Sequence, residues 1–221
     1  MTDEQTITMQ DVFEYVQDVG RQSKLIIKDT AQALRKETGC YFKHMKAWDY
    51  MIKPKNEHFL DTQFGISRAW VTYVPEGALS LAVLFYIQFY YGKHPVVPSL
   101  MYGSLDSGTD KDFDTTSRWA SWGAIMDVER KKDSVSVEID GPFSIVTSTK
   151  ESRFKEARLV RVPLESITSW EDLQRIVVKP LAALVCGDVE KARELLQEVE
   201  TIQWPIRFAE IEDEVEEVEE A

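Results

Sequence analysis

The sequence predicts an α+β protein: a mainly antiparallel, twisted sheet of about six strands, with a long N-terminal helix before it and helices after it. Three observations point to that class. Residues 9–38 place apolar side chains at helical spacing, and residues 168–201 do so again. Between them, residues 66–163 break into short apolar runs joined by hairpin-length turns. No repeat recurs at a period of about 20–50 residues, which sets solenoids and propellers aside.

The first helix is expected from about Met9 to Thr38. Thr8 is its capping residue, with Asp11 three positions on to complete a pair of the capping-box type. Met9, Val12, Phe13, Val16 and Val19 form one stripe, which Ile26, Ile27, Thr30, Ala31 and Leu34 continue with a drift. Gly20 is a point of kinking or division, and Gly39 an end signal. Unbroken, such a helix extends about 45 Å, more than a domain of this size needs for packing alone. Part of it is therefore expected to lie on a partner. Residues 40–65 resist assignment, because Tyr41, Phe42, Trp48 and Tyr50 alternate with Lys43, His44 and Lys46, and Pro54 opposes one continuous helix.

A hairpin forms the predicted centre: strands Ile66–Val74 and Leu79–Tyr91, joined by Pro75, Glu76, Gly77 and Ala78. In the second strand Leu79, Leu81, Val83, Phe85, Ile87, Phe89 and Tyr91 share one parity. Ser80, Ala82, Leu84, Tyr86, Gln88 and Tyr90 share the other. One face is wholly apolar and the other mixed, which predicts a sheet packed on a core with its back only partly covered. Only Ala78–Tyr91 is uninterrupted, and a membrane span takes about 20 apolar residues, so a span is excluded here.

Beyond the hairpin, Pro95 and Pro98 bracket a connection to a short strand, Leu100 to Tyr102, followed by a polar loop, Ser104 to Ser117. Trp119–Val128 reads as a strand interrupted by Gly123, and Val135–Asp140 as a strand with Val135, Val137 and Ile139 on one face. Asp140-Gly141 has the look of a two-residue turn, but Pro142 lacks an N–H, so a wider loop is expected before a strand at Phe143–Thr149. Glu156–Pro163 is the last strand, with Leu159 and Val162 apolar and Arg158 and Arg161 opposed to them. Thr168 or Ser169 then caps a helix with Glu171 and Asp172 in its first turn. Pro180 is expected to begin a further turn, and Gly187-Asp188 to separate a final helix over 189–201.

The chain has 221 residues, 43% of them apolar, which suits one α+β domain over 1–207 and a disordered acidic tail over 208–221. The polar N-terminus has no basic region followed by an apolar one, so a cytoplasmic protein is expected. Cys40 and Cys186 lie far apart in sequence and read as free thiols. The formal net charge is −12. Glu210, Glu212, Asp213, Glu214, Glu216, Glu217, Glu219 and Glu220 supply eight of the negatives, leaving −4 over residues 1–209. Residues 21–58 instead hold nine Lys and Arg against four Asp and Glu, a net +5 inside an acidic chain.

Motifs for chemistry are sparse. Asp110, Asp112 and Asp114 have the D-x-D-x-D start of a calcium loop, but Thr115 replaces the glycine it needs and Ser121 the terminal glutamate, so no metal is expected. Cys40 and His44 would share a face if helical, but no third group orients them. His58 and His94 have no zinc spacing, and no nucleotide or hydrolase fingerprint occurs, so no cofactor is expected. Trp119 and Trp122 cannot both sit on one side of a regular strand, which sends one toward a pocket, a covering helix or a partner, with ordinary core packing as the plainer reading.

These observations favour a non-catalytic interaction or regulatory subunit that binds a protein partner through its basic, aromatic N-terminal third and its acidic tail. Arg21, Lys24, Lys28, Arg35, Lys43, Lys46 and Trp48 are the candidate contact residues, with Trp119 and Trp122 beside them. An enzyme or small-ligand binder, with a pocket near the Asp-rich loop and the two tryptophans, is a second reading. A nucleic-acid-associated protein using residues 21–55 is a third, opposed by the net negative charge.

Overall fold

The computed structural model describes residues 9–44, 68–75, 81–91, 94–108, 124, 128, 133–149 and 154–203. Helix α1 (Met9–Thr38) runs unbroken past Gly20 and leads to a short strand, β1 (Phe42–His44). Then come β2 (Arg68–Pro75), β3 (Leu81–Tyr91), β4 (His94–Asp106), β5 (Val135–Asp140), β6 (Phe143–Ser148) and β7 (Glu156–Pro163). A 3-10 turn (Leu164–Ser166) precedes α2 (Trp170–Asp172), a π-helical stretch (Leu173–Val178), α3 (Lys179–Val185) and α4 (Val189–Leu196). The protein is α+β, and every strand pair is antiparallel, in the order β1-β2-β3-β4-β7-β6-β5.

Among the described residues the sheet thus has seven strands where about six were expected. Strand β1 lies in the stretch that periodicity left open. The strand expected at Trp119–Val128 is not among the seven, because its two described residues, Ala124 and Val128, have helical backbone. Both are buried. Strand β4 is far longer than the three residues foreseen. Its Pro95 and Pro98 precede the pairing with β7, which starts at Ser99, and Pro95 pairs with Tyr90 beyond a register shift in β3. Prolines are tolerated at such strand starts and bulges because no ladder bond is lost.

Parity along β3 sorts the core as alternation requires. Val83, Phe85 and Ile87 pack on the front face, with Leu100 and Tyr102 of β4, Val160 and Val162 of β7, and the helices. Leu84 and Tyr86 face the back, with Met101, Leu105, Ala157 and Leu159. The back was expected to be only partly covered. Instead Ala124, Val128 and Phe154 close over it, and Leu84 and Tyr86 are as buried as their front-face neighbours. The central strands are therefore covered on both sides. Strand β7 departs from its expected division in the same way: Leu159 joins the back core and Val162 the front core. Gly103 lets β4 approach β7, since a Cβ there would lie 1.9 Å from the Arg158 carbonyl oxygen.

Helical backbone is continuous from Trp170 to Val185, so Pro180 does not interrupt it but stands in the first turn of α3. Pro180 has no N–H to give the Ile176 carbonyl four residues back. In the preceding stretch the helix widens, and the Lys179 N–H reaches the Gln174 carbonyl, five residues away. The buried Tyr102 hydroxyl donates to the Ile176 carbonyl, supplying a hydrogen bond that proline cannot. Burial raises the Tyr102 pKa, which keeps the phenol a donor. Ser169 is the cap: its Oγ accepts from the Asp172 N–H at 3.0 Å, and the Asp172 carboxylate accepts from the Thr168 and Ser169 hydroxyls. The last helix is shorter than expected, ending at Leu196, after which the Ile202 N–H donates to the Arg161 carbonyl at 2.8 Å.

The β5–β6 connection is a two-residue turn, not the wider loop foreseen, for Asp140 pairs directly with Phe143. Gly141 has φ +61°, and proline's fixed negative φ suits the second position of a type II′ turn. The bonds that close such a turn belong to Asp140 and Phe143, so the missing N–H of Pro142 costs nothing. Arg193 of α4 clasps this turn with Nη1 3.0 Å from Asp140 Oδ1 and Nη2 2.8 Å from Oδ2.

Candidate interaction surface

Helix α1 buries one side and exposes the other. Ile27, Thr30, Ala33 and Leu34 are buried, packing toward the π-helical stretch and α3. Thr30 is satisfied there because its hydroxyl donates to the Ile26 carbonyl at 2.7 Å. Gln22, Leu25, Lys28, Gln32, Arg35 and Lys36 are exposed. Lys28 and Arg35 are seven positions apart, two turns of helix, and so share a side. Arg21 and Lys24 occupy helix positions on that same side by spacing, although their side chains lie outside the described residues.

The helix end brings an aromatic ring to this stripe. The Gly39 N–H reaches the Arg35 carbonyl at 3.0 Å, while the Thr38 hydroxyl donates to the Leu34 carbonyl and accepts from the Cys40 N–H. After this turn Tyr41, 51% exposed, lies beneath Arg35, with the guanidinium carbon 5.1 Å from the ring centroid. An exposed contact of this kind is worth about 0.5–1 kcal/mol. Its larger effect is to hold a cation and a ring in fixed relation at the surface. The ion pairs among the described residues lie elsewhere, on Asp140, Glu156, Asp172, Glu190 and Glu194.

Of the residues singled out by sequence, Lys28 and Arg35 are brought together on this face. Lys43 lies in β1 opposite Val74, its side chain outside the described residues. Lys46, Trp48, Trp119, Trp122, the Asp-rich loop and the acidic tail also lie outside them. The Cys40–His44 arrangement does not form as a helical pair, because α1 ends at Thr38 and His44 belongs to a strand. Cys40 is half-buried, with Sγ 3.7 Å from the Thr38 carbonyl oxygen, and both cysteines are free thiols.

Two polar features had not been foreseen. Arg161, on the back of β7, is 2% exposed, and its Nε donates to Ser99 Oγ at 2.8 Å. Arg193 not only binds Asp140 but lies over Phe143, 5.4 Å from its ring centroid. Its hydrogen bond holds the Asp140 carboxyl below the ordinary range and raises the arginine's own pKa. Both features tie elements together across long sequence separations, which no local pattern encodes.

Among the described residues, no group of three or more His, Cys, Asp and Glu is placed to hold a metal ion. No helix among them is long and apolar enough to cross a membrane. Compared with known protein families, with characterised proteins and with solved structures, the chain has no match in any of the three.

Proposed function

We propose that the protein is a non-catalytic interaction or regulatory subunit that engages an acidic protein partner through the basic face of α1 and the aromatic residues adjoining it. The acidic tail is the second charged element of this system. The observation that carries the reading is the exposed pair Lys28 and Arg35, with Lys36 beside it and Arg35 stacked on the exposed Tyr41. Cations on such a face steer an acidic partner, and a pre-positioned arginine and tyrosine supply contact area at low cost in side-chain freedom. Leu25, 41% exposed on the same face, adds an apolar contact. A whole-chain charge of −12 disfavours a nucleic acid most, because its backbone carries charge at far higher density than an acidic protein surface does. Free thiols at Cys40 and Cys186 are in keeping with a reducing, cytoplasmic setting.

Fluorescence anisotropy with a labelled poly-glutamate peptide and a short DNA duplex tests this, using wild type and Lys28→Glu/Arg35→Glu. The peptide is expected to bind wild type at low salt and to lose roughly tenfold in affinity in the variant, with DNA the weaker ligand. Tighter binding of DNA, lost in the variant, would move the assignment to nucleic acid. Binding of both ligands that ignores the variant would remove this face as a site.

A further inference from the structure

We propose that two copies of the chain join along the outer edge of β5, antiparallel and around a two-fold axis at Val137. This edge is separate from the α1 face and does not depend on it. Of the two terminal strands of the sheet, β1 is three residues long, whereas β5 has six in unbroken register with β6. Edge strands are commonly blunted by shortness, lysine, proline or a bulge. Shortness serves β1, but Val-Ser-Val-Glu-Ile-Asp carries none of these devices.

The direction of the backbone groups follows from the hairpin. Asp140 and Phe143 flank the two-residue turn and so form a hydrogen-bonded pair. At the other end of the ladder the Thr149 N–H donates to the Ser134 carbonyl at 2.9 Å. Pairs of this kind fall on every second residue, so the even-numbered residues of β5 bond to β6. The N–H and C=O groups of Val135, Val137 and Ile139 therefore point outward, and among the described residues no strand pairs with them. Such groups are a ready template for another strand. The end of β5 is held in place, since Arg193 clasps Asp140.

The side chains argue for a second copy as the occupant. With the axis at Val137, the outward groups of Val135 meet those of Ile139 in the other copy, and Val137 meets its own counterpart. Ser136 then stands opposite Glu138, in non-hydrogen-bonded pairs whose Cα atoms approach to about 4.5 Å. Both residues are exposed, so each carboxylate meets a hydroxyl that can donate to it. On the opposite side of the strand Val135, Val137 and Ile139 set β-branched residues against β-branched ones, a favourable cross-strand pairing. Moving the axis to Glu138 would put two carboxylates face to face. Moving it to Ser136 would leave Ile139 beyond the end of the facing strand. The strand is thus self-complementary about Val137, and a two-fold contact of this kind closes at a dimer. Each chain carries a formal charge of −12, so association works against repulsion and should tighten as salt is added. An acidic ligand on α1 should respond to salt in the opposite sense.

Sedimentation equilibrium of the full chain tests this. Wild type is expected to approach twice the mass of the chain as concentration rises. Val137→Pro removes an outward N–H and no bond to β6, so it should weaken the dimer at least about tenfold. If that variant also lowers the melting temperature, the exposed position Ser136 decides. Ser136→Glu sets carboxylates opposite each other at two symmetric sites and should weaken the dimer about threefold to tenfold, while Ser136→Lys should tighten it. Adding Glu138→Lys to Ser136→Lys should weaken it again, although the double variant is the least negative of the series. Continued tightening there would mean that net charge and not strand pairing governs association, and would overturn the proposal. A dimer that ignores Val137→Pro and Ser136→Glu but is lost in Lys28→Glu/Arg35→Glu would move the contact to α1 and overturn it as well. A wild type that stays monomeric overturns it outright. Slow hydrogen exchange at the Val137 amide of that monomer would then give the edge to another part of the same chain.

Discussion

Tyr102 and Pro180 show how one residue's defect becomes another's task. The proline cannot give the Ile176 carbonyl a hydrogen bond, and a phenol from the centre of the sheet does so. Tyr102→Phe should therefore cost about 1–3 kcal/mol in urea denaturation, the usual penalty for stranding a buried polar group. A loss under about 0.5 kcal/mol would show that another donor serves the carbonyl. Asp172 gives a second test at this scale. Hydrogen bonds from Ser169 first, then Thr168 and Arg175, lower its pKa from 3.8 to about 2. A depressed carboxyl stabilises the fold fully above its unfolded value and loses that contribution as pH falls through its folded one. Stability should thus decline between about pH 4 and pH 2, and Asp172→Asn should flatten that decline in thermal scans. A slope identical to wild type would remove the cap from the acid response.

At the scale of elements, the sheet is a wall with core on both sides. Leu84→Ala and Phe85→Ala point to opposite faces, yet both should be strongly destabilising, by about 2–5 and 3–5 kcal/mol. Ile139→Ala, on the outer strand β5 and 42% exposed, should change stability by no more than about 0.5 kcal/mol. A near-neutral Leu84→Ala in chemical denaturation would restore the open-backed sheet that the sequence suggested. The bounds of β5 and β7 were legible because Val-Ser-Val-Glu-Ile-Asp alternates strictly and a proline closes Glu156–Pro163. Other elements were hidden for physical reasons. Strand β1 is too short for a period, the start of β4 is disguised by prolines that its pairing tolerates, and the apolar run ending at Val128 fits either backbone. The covered back of the sheet was equally hidden. Leu84 and Tyr86 alternate with residues of the other face whether or not something lies over them.

For the whole molecule, charge and architecture separate two regions. The front face gathers α1 and the C-terminal helices around one core, and α1 then presents Lys28, Arg35 and Lys36 outward from an acidic chain. The basic segment was visible in the sequence as a net +5 over residues 21–58. Its aromatic end was not, because Tyr41 reaches Arg35 only through the turn at Thr38 and Gly39. Side chains this exposed contribute little to folding, so their replacement should leave the melting temperature within about 2–4 °C of wild type. That separation of binding from stability permits a direct measurement. Native protein and the variant Lys28→Glu/Arg35→Glu/Lys36→Glu would be purified from the source cells at low salt, and their co-purifying proteins quantified by mass spectrometry. An interaction subunit working through α1 should retain a stoichiometric partner as wild type and lose most of it as the variant, with both proteins melting alike. The same partner in the same amount with both forms would contradict the central role of this face.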